Sequence, residues 1–213
     1  VKSAFTGQAM TGGFLGATVI AAVQFGVARG ISSSEAGLGS GPIASAAAKT
    51  DVPGRQAMIS MTTVFLSTLV VCTITALVIA VTGVLGAVDA TGKALNGAPL
   101  VIEAFQSTIP FGGGIVTIGL ILFGYSTIIG WSYYGEKCIE FLLGEKAIYP
   151  FRIVFSCIVF VGALLSIDIV WALVDIMNGF MTLPNLIALF ALSGVVVKEA
   201  NEFFRLVKKE KKA

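Results

Sequence analysis

Histidine is absent from this 213-residue chain, cysteine occurs only three times, and charged residues make up just 12% of the sequence. Without histidine the commonest metal ligand and the usual neutral-pH general base are both missing. Cys72, Cys138 and Cys157 lie far apart, with none of the short spacings that zinc sites use. Zinc chemistry and Ser/His or Cys/His catalysis are therefore excluded, and no other constellation in the chain reads as an enzyme active site. A net charge of +2 leaves no electrostatic footprint for nucleic acid. No basic n-region precedes an apolar core and cleavage site, so no cleavable leader is expected. The first residue is Val rather than Met, which suggests part of a longer polypeptide.

What the chain does have is apolar and small side chains. Hydrophobic residues reach 56% and glycine numbers 25, whereas a soluble domain carries about 25% charged residues. Small residues let helices approach closely in a bilayer, so the expected fold is an all-α membrane protein. The first apolar stretch, Phe14 to Ala48, covers roughly 35 residues where about 20 cross the hydrocarbon. It contains the run Gly30-Ile31-Ser32-Ser33-Ser34-Glu35-Ala36-Gly37-Leu38-Gly39-Ser40-Gly41-Pro42, which is poorly suited to continuous helix. The expected element is a broken helix over 14–49, with half-helices at 14–31 and 41–49 and an unwound stretch at 32–40.

The remaining punctuation predicts a span over 57–82, an external loop over 83–113 with a short helix inside it, and a span over 112–143. A further span over 149–167, a bent span over 169–197 and a basic tail over 198–213 complete the chain as one transmembrane domain. Lysine and arginine concentrate in alternate loops: Lys49 and Arg55, then Lys137, Lys146 and Arg152, then the tail from Lys198. By the positive-inside rule this predicts five spans, with the N-terminus outside and the C-terminal tail cytoplasmic.

Three constellations carry candidate chemistry. Non-helical backbone at membrane depth survives only where protein or a water-filled cavity covers it, so the break is a candidate binding site for a small polar ligand. Ser33, Ser34 and Ser40 offer hydroxyls there, and Gly37 and Gly39 allow close backbone approach. The alternative is a Gly/Ser-rich packing motif between close helices. Arg29 either pairs with Glu35 or joins it in a gate, or else snorkels. The second constellation is Phe123, Ser126 and Thr127, whose carbonyl and hydroxyls are hard oxygen donors suited to a desolvated sodium ion, with Trp131 one turn beyond as a ligand wall. Against this, serine and threonine in membrane helices commonly bond their own backbone. The third is Asp175 with Asn178, three apart on one helix face, expected to form a structural or gating cluster.

The runs SSSEAGLGSGPIASAAAKTDVPGRQA, FGYSTIIGWSYYGEKC and WALVDIMNGFMTLPNLIAL closely resemble the alanine/glycine:cation symporter family. The resemblance extends over essentially the whole chain and corresponds to the C-terminal half of the family's sequence. It implies the second five-helix repeat of the leucine-transporter type of inverted-repeat fold, with its first helix broken at the substrate site. It also implies sodium-coupled symport of a small neutral amino acid, alanine or glycine, across the cell membrane by alternating access. By position, Ser33, Ser34, Ala36, Gly37, Gly39 and Trp131 would face the amino acid. Phe123, Ser126 and Thr127 would hold the co-transported sodium, with ligands added by the N-terminal repeat. The competing expectation is a non-transporting membrane scaffold or interaction subunit; a channel is disfavoured by the lack of a pore loop or charged ring.

Overall fold

The computed structural model describes residues 7–35 and 37–212, with side chains from Thr18 onward. Among these residues there is no β-strand, and Val88 and Ala94 form an isolated antiparallel bridge. The chain divides into two compact units, Val1–Gly41 with Trp171–Ala213, and Pro42–Val170.

In the first unit, α1 runs over Gly7–Ser34. It starts earlier than the expected boundary at 14 and continues through Ser33 and Ser34, which the sequence reading placed in the unwound stretch. The helix survives there because serine need not break a ladder that it can reinforce: Ser34 Oγ donates to the Gly30 carbonyl at 2.8 Å. Termination comes at Glu35, which adopts a left-handed backbone (φ 52°), a usual way for a helix to stop. Gly37 and Gly39 follow with φ of 85° and 82°, values that cost glycine little because it has no Cβ. The next helix, the short α2, covers Gly41–Ser45, where the second unit begins. Pro42 suits its first turn, where no backbone donor is needed. The second half-helix thus stops well before the predicted 49.

In the second unit, α3 (Pro53–Val64), a π-helical turn (Phe65–Val71) and α4 (Cys72–Thr82) follow one another and make one 30-residue rod. Gly83 ends it in a left-handed conformation (φ 70°). The loop beyond leads to α5, Ala98–Gln106, whose Ala104 is fully buried. Phe111 then turns the chain (φ 62°) into α6, Gly112–Leu143. The corner is tight: a Cβ on Gly112 would lie 2.3 Å from the Phe105 carbonyl oxygen. Gln106 Oε1 accepts from the Gly113 N–H at 3.0 Å, satisfying one of the donors that a helix start leaves open. The helix α7 (Ile148–Gly162) packs back on α6, joined by a bidentate ion pair in which Arg152 donates to both Glu136 oxygens at 2.7 and 2.8 Å. Phe151 covers Gly135 at that crossing.

The last helix, α8, runs without interruption over Ile167–Glu210, through Pro184 and into the basic tail. Asp175, Asn178-Gly179 and Pro184 do not end it, although proline removes one i→i−4 bond. Three helices among the described residues are long and apolar enough to cross a membrane: Pro53–Thr82, Gly112–Leu143 and Ile167–Glu210. Their apolar side chains point outward, Phe123 at 72% and Phe190 at 79% exposure, a surface suited to lipid or neighbouring helices rather than to water.

Candidate functional site

The break between α1 and α2 is held from α8 by polar side chains. At its outer approach Arg29 Nη2 donates to Asp175 Oδ2 at 2.5 Å, and the guanidinium carbon stands 4.0 Å above the Trp171 ring. One turn on, Asn178 Nδ2 donates to Ser32 Oγ at 2.9 Å. Within the break itself, Asn185 Nδ2 donates to the Gly37 carbonyl at 2.9 Å. Trp171, Asp175, Asn178 and Asn185 fall within roughly 80° of helix circumference at 3.6 residues per turn. A polar stripe on the apolar part of α8 thus faces a segment whose backbone needs partners.

The break also closes on itself. The Leu38 N–H donates to the Glu35 carbonyl at 3.2 Å, and Ser40 Oγ donates to Glu35 Oε2 at 2.8 Å. Leu38 and Ser40 are almost completely buried, at 3% and 2% exposure. Arg29 and Glu35 therefore do not pair with each other as the sequence allowed. Each finds a nearer partner, Asp175 for one and Ser40 for the other.

Of the residues expected to face a small ligand, Ser33 and Ser34 lie on the last turn of α1 and Gly37 and Gly39 lie in the break. Ala36 falls outside the described residues. Phe123, Ser126, Thr127 and Trp131 all lie on α6. Ser126 Oγ donates to the Phe123 carbonyl at 2.9 Å, so two of the proposed sodium donors are already adjacent. A hydroxyl oxygen retains lone pairs while its proton is given away. That bond is also the backbone bonding weighed as the alternative, made to i−3. Trp131 is half-buried and meets Tyr134 edge-on, with ring centroids 5.8 Å apart.

Sequence reasoning missed Asn185. It follows Pro184 in what looked like a simple kink, but its spacing of seven from Asn178 was a usable signal, because that spacing puts both on one face.

An all-helical chain with apolar, outward-facing helices and a glycine-supported break is a multi-pass membrane protein with a built-in non-helical segment. The profile of the sodium:alanine symporter family matches residues 1–213, and the chain belongs to that family, one of transporters and not of enzymes. It is 53% identical to the sodium/alanine symporter AgcS of Methanococcus maripaludis over 92% of this chain and 43% of that protein. It is 44% identical to an uncharacterized transporter of Haemophilus influenzae, over 98% of this chain and 45% of the relative. A Bacillus subtilis protein named "Probable sodium/glutamine symporter GlnT" is 38% identical over 96% of this chain and 41% of its own length. The chain thus spans less than half the length of these curated relatives. No solved structure matches it.

Proposed function

We propose that this chain forms the C-terminal half of a sodium-coupled symporter for a small neutral amino acid, the second repeat of a leucine-transporter-type inverted-repeat fold. The observation that carries the reading is the break at Glu35–Ser40, a non-helical stretch between α1 and α2 with left-handed backbone at residues 35, 37 and 39. Family membership and the name of AgcS support alanine as the cargo. In transporters with broken helices, the half-helix ends and freed backbone groups near the bilayer midplane bind the substrate and the coupling ion.

In this reading Ser33, Ser34, Ala36, Gly37 and Gly39 line the amino-acid site and Trp131 closes it. Sodium is cargo, held by the Phe123 carbonyl and the Ser126 and Thr127 hydroxyls, with its remaining ligands from the N-terminal repeat. Five spans leave the C-terminal tail in the cytoplasm. Joint binding of ion and amino acid biases the outward-open to inward-facing equilibrium, and each raises the other's affinity by the same factor.

The test uses this chain joined to the N-terminal half that its relatives carry. Ser126→Ala with Thr127→Ala is expected to raise the sodium concentration for half-maximal alanine uptake at least about tenfold, the loss of about 1.4 kcal/mol of ion binding. An unchanged sodium requirement removes these residues as ligands. GlnT's name makes glutamine the informative competitor in the same assay, beside glycine and leucine.

A further inference from the structure

We propose that Asn185 is a positioning residue: from α8 it fixes the backbone of the break in the form that a ligand would meet. In a continuous helix the Gly37 carbonyl would accept from the N–H four residues on. The left-handed steps at Gly37 and Gly39 abolish that bond. A carbonyl without a donor in a water-poor setting costs several kcal/mol. Asn185 Nδ2 supplies the donor at 2.9 Å.

The same side chain fills the space where the next left-handed glycine would carry a Cβ. A Cβ built on Gly39 would lie 3.0 Å from Asn185 Oδ1 and 3.2 Å from its Cγ. One amide thus engages two alternate residues of the break, bonding the first and packing on the second. Leu38, between them, is buried at 3% exposure, so this short stretch is fixed on both sides. The amide is carried by a continuous helix, and precise sites are built on such rigid supports. Asn185 does not touch the ligand in this account. It acts through Gly37 and Gly39, whose backbone orientation it sets.

This inference rests on the proposed substrate site only for its transport consequence; the hold on the break stands apart from it. Asn185→Leu keeps nearly the same shape and removes the amide, whereas Asn185→Ala removes both. Asn185→Gln restores a donor on a longer arm.

Two readouts separate the claims, both on this chain joined to its N-terminal half and checked for monodispersity in detergent. The first is amide hydrogen exchange of a peptide covering residues 31–45. Exchange in Asn185→Leu and Asn185→Ala should speed up by about two- to twelvefold, corresponding to the 0.5–1.5 kcal/mol of a typical hydrogen bond. The second is sodium-dependent alanine uptake, in which both variants should raise KM by a similar factor with the maximal rate little changed. Partial recovery is expected for Asn185→Gln. Unchanged exchange in Asn185→Leu overturns the inference. Faster exchange with an unchanged KM overturns the link from Asn185 to the ligand. Absence of alanine uptake in the unmodified assembly counts against the symporter reading alone, because the exchange readout still decides whether Asn185 holds the break.

Discussion

Removing the carboxylate of Asp175 while leaving Arg29 in place should be among the most damaging single changes to the α1–α8 pairing. Arg29 Nη2 and Asp175 Oδ2 are 2.5 Å apart, and the two side chains are 34% and 41% exposed in the chain alone. Arg29 Nη1 is screened from solvent with no acceptor among the described residues. Once Asp175 becomes Asn, the guanidinium keeps the Trp171 face, worth about 0.5–2 kcal/mol, and loses its anion.

Two unit charges about 4 Å apart attract by about 4 kcal/mol at an effective dielectric of 20. Partial exposure reduces the net value, as it does for any pair still within reach of water. An arginine left unpaired at the centre of a membrane helix costs about 2.5–3.5 kcal/mol, an upper bound for Arg29, which lies near the C-terminal end of α1. Asp175→Asn should therefore destabilise the unit by about 2–3 kcal/mol. The double variant Arg29→Met with Asp175→Leu should cost much less, since it leaves no charge behind. The assay is reversible unfolding in mixed micelles on a Trp131→Phe background. The chain has two tryptophans, so Trp171, 4.0 Å from the guanidinium, then reports alone. Additivity of Arg29→Met and Asp175→Leu within about 0.5 kcal/mol would refute the reasoning, because coupled neighbours deviate by more than that.

Gly112→Ala should wedge α5 from α6, because its Cβ would meet the backbone oxygen of Phe105 at 2.3 Å. A cost of about 1–3 kcal/mol and faster proteolysis of the 83–111 loop are expected, and wild-type resistance would show that the corner has slack. Asp89 accepts from the Thr91 hydroxyl and from the Thr91 and Lys93 amides at 2.6, 2.7 and 3.0 Å. These bonds, led by the Thr91 hydroxyl, lower its pKa below the ordinary 3.8. A lowered folded-state pKa means that the stabilisation is complete above the ordinary value and fades as pH falls through the depressed one. Amide protection at Thr91 and Lys93 should therefore persist at pH 5 and drop only in strong acid, and Asp89→Ala should abolish that pH dependence.

The places where the helices stop were legible to different degrees, for identifiable reasons. Glycine and proline density announced the break, since Gly37 and Gly39 admit left-handed backbone that other residues avoid, and Pro42 fixes φ and removes a donor. The exact stop at Glu35 was not legible, because a glutamate at φ 52° carries no local signature. Ser33 and Ser34 misled for a related reason: serine favours turns in general, but Ser34 bonds back to Gly30 and stays helical. The π-helical turn at Phe65–Val71 has neither glycine nor proline to mark it. Pro184 was read as lying inside one helix, and α8 does run through it, continuing to Glu210 beyond the expected end at 197. At the candidate site, Asp175 and Asn178 were visible as polar residues in an apolar run. Their partners Arg29 and Ser32 lie 146 residues away in sequence, and no local pattern encodes such a pairing.

The most direct test of the central claim is binding of labelled alanine to this chain in nanodiscs, with sodium against potassium, alone and together with the N-terminal half. The account predicts saturable binding only when both halves and sodium are present, with half-saturating alanine falling as sodium rises. Binding that is equal in potassium, or none from a folded pair of halves, would contradict it.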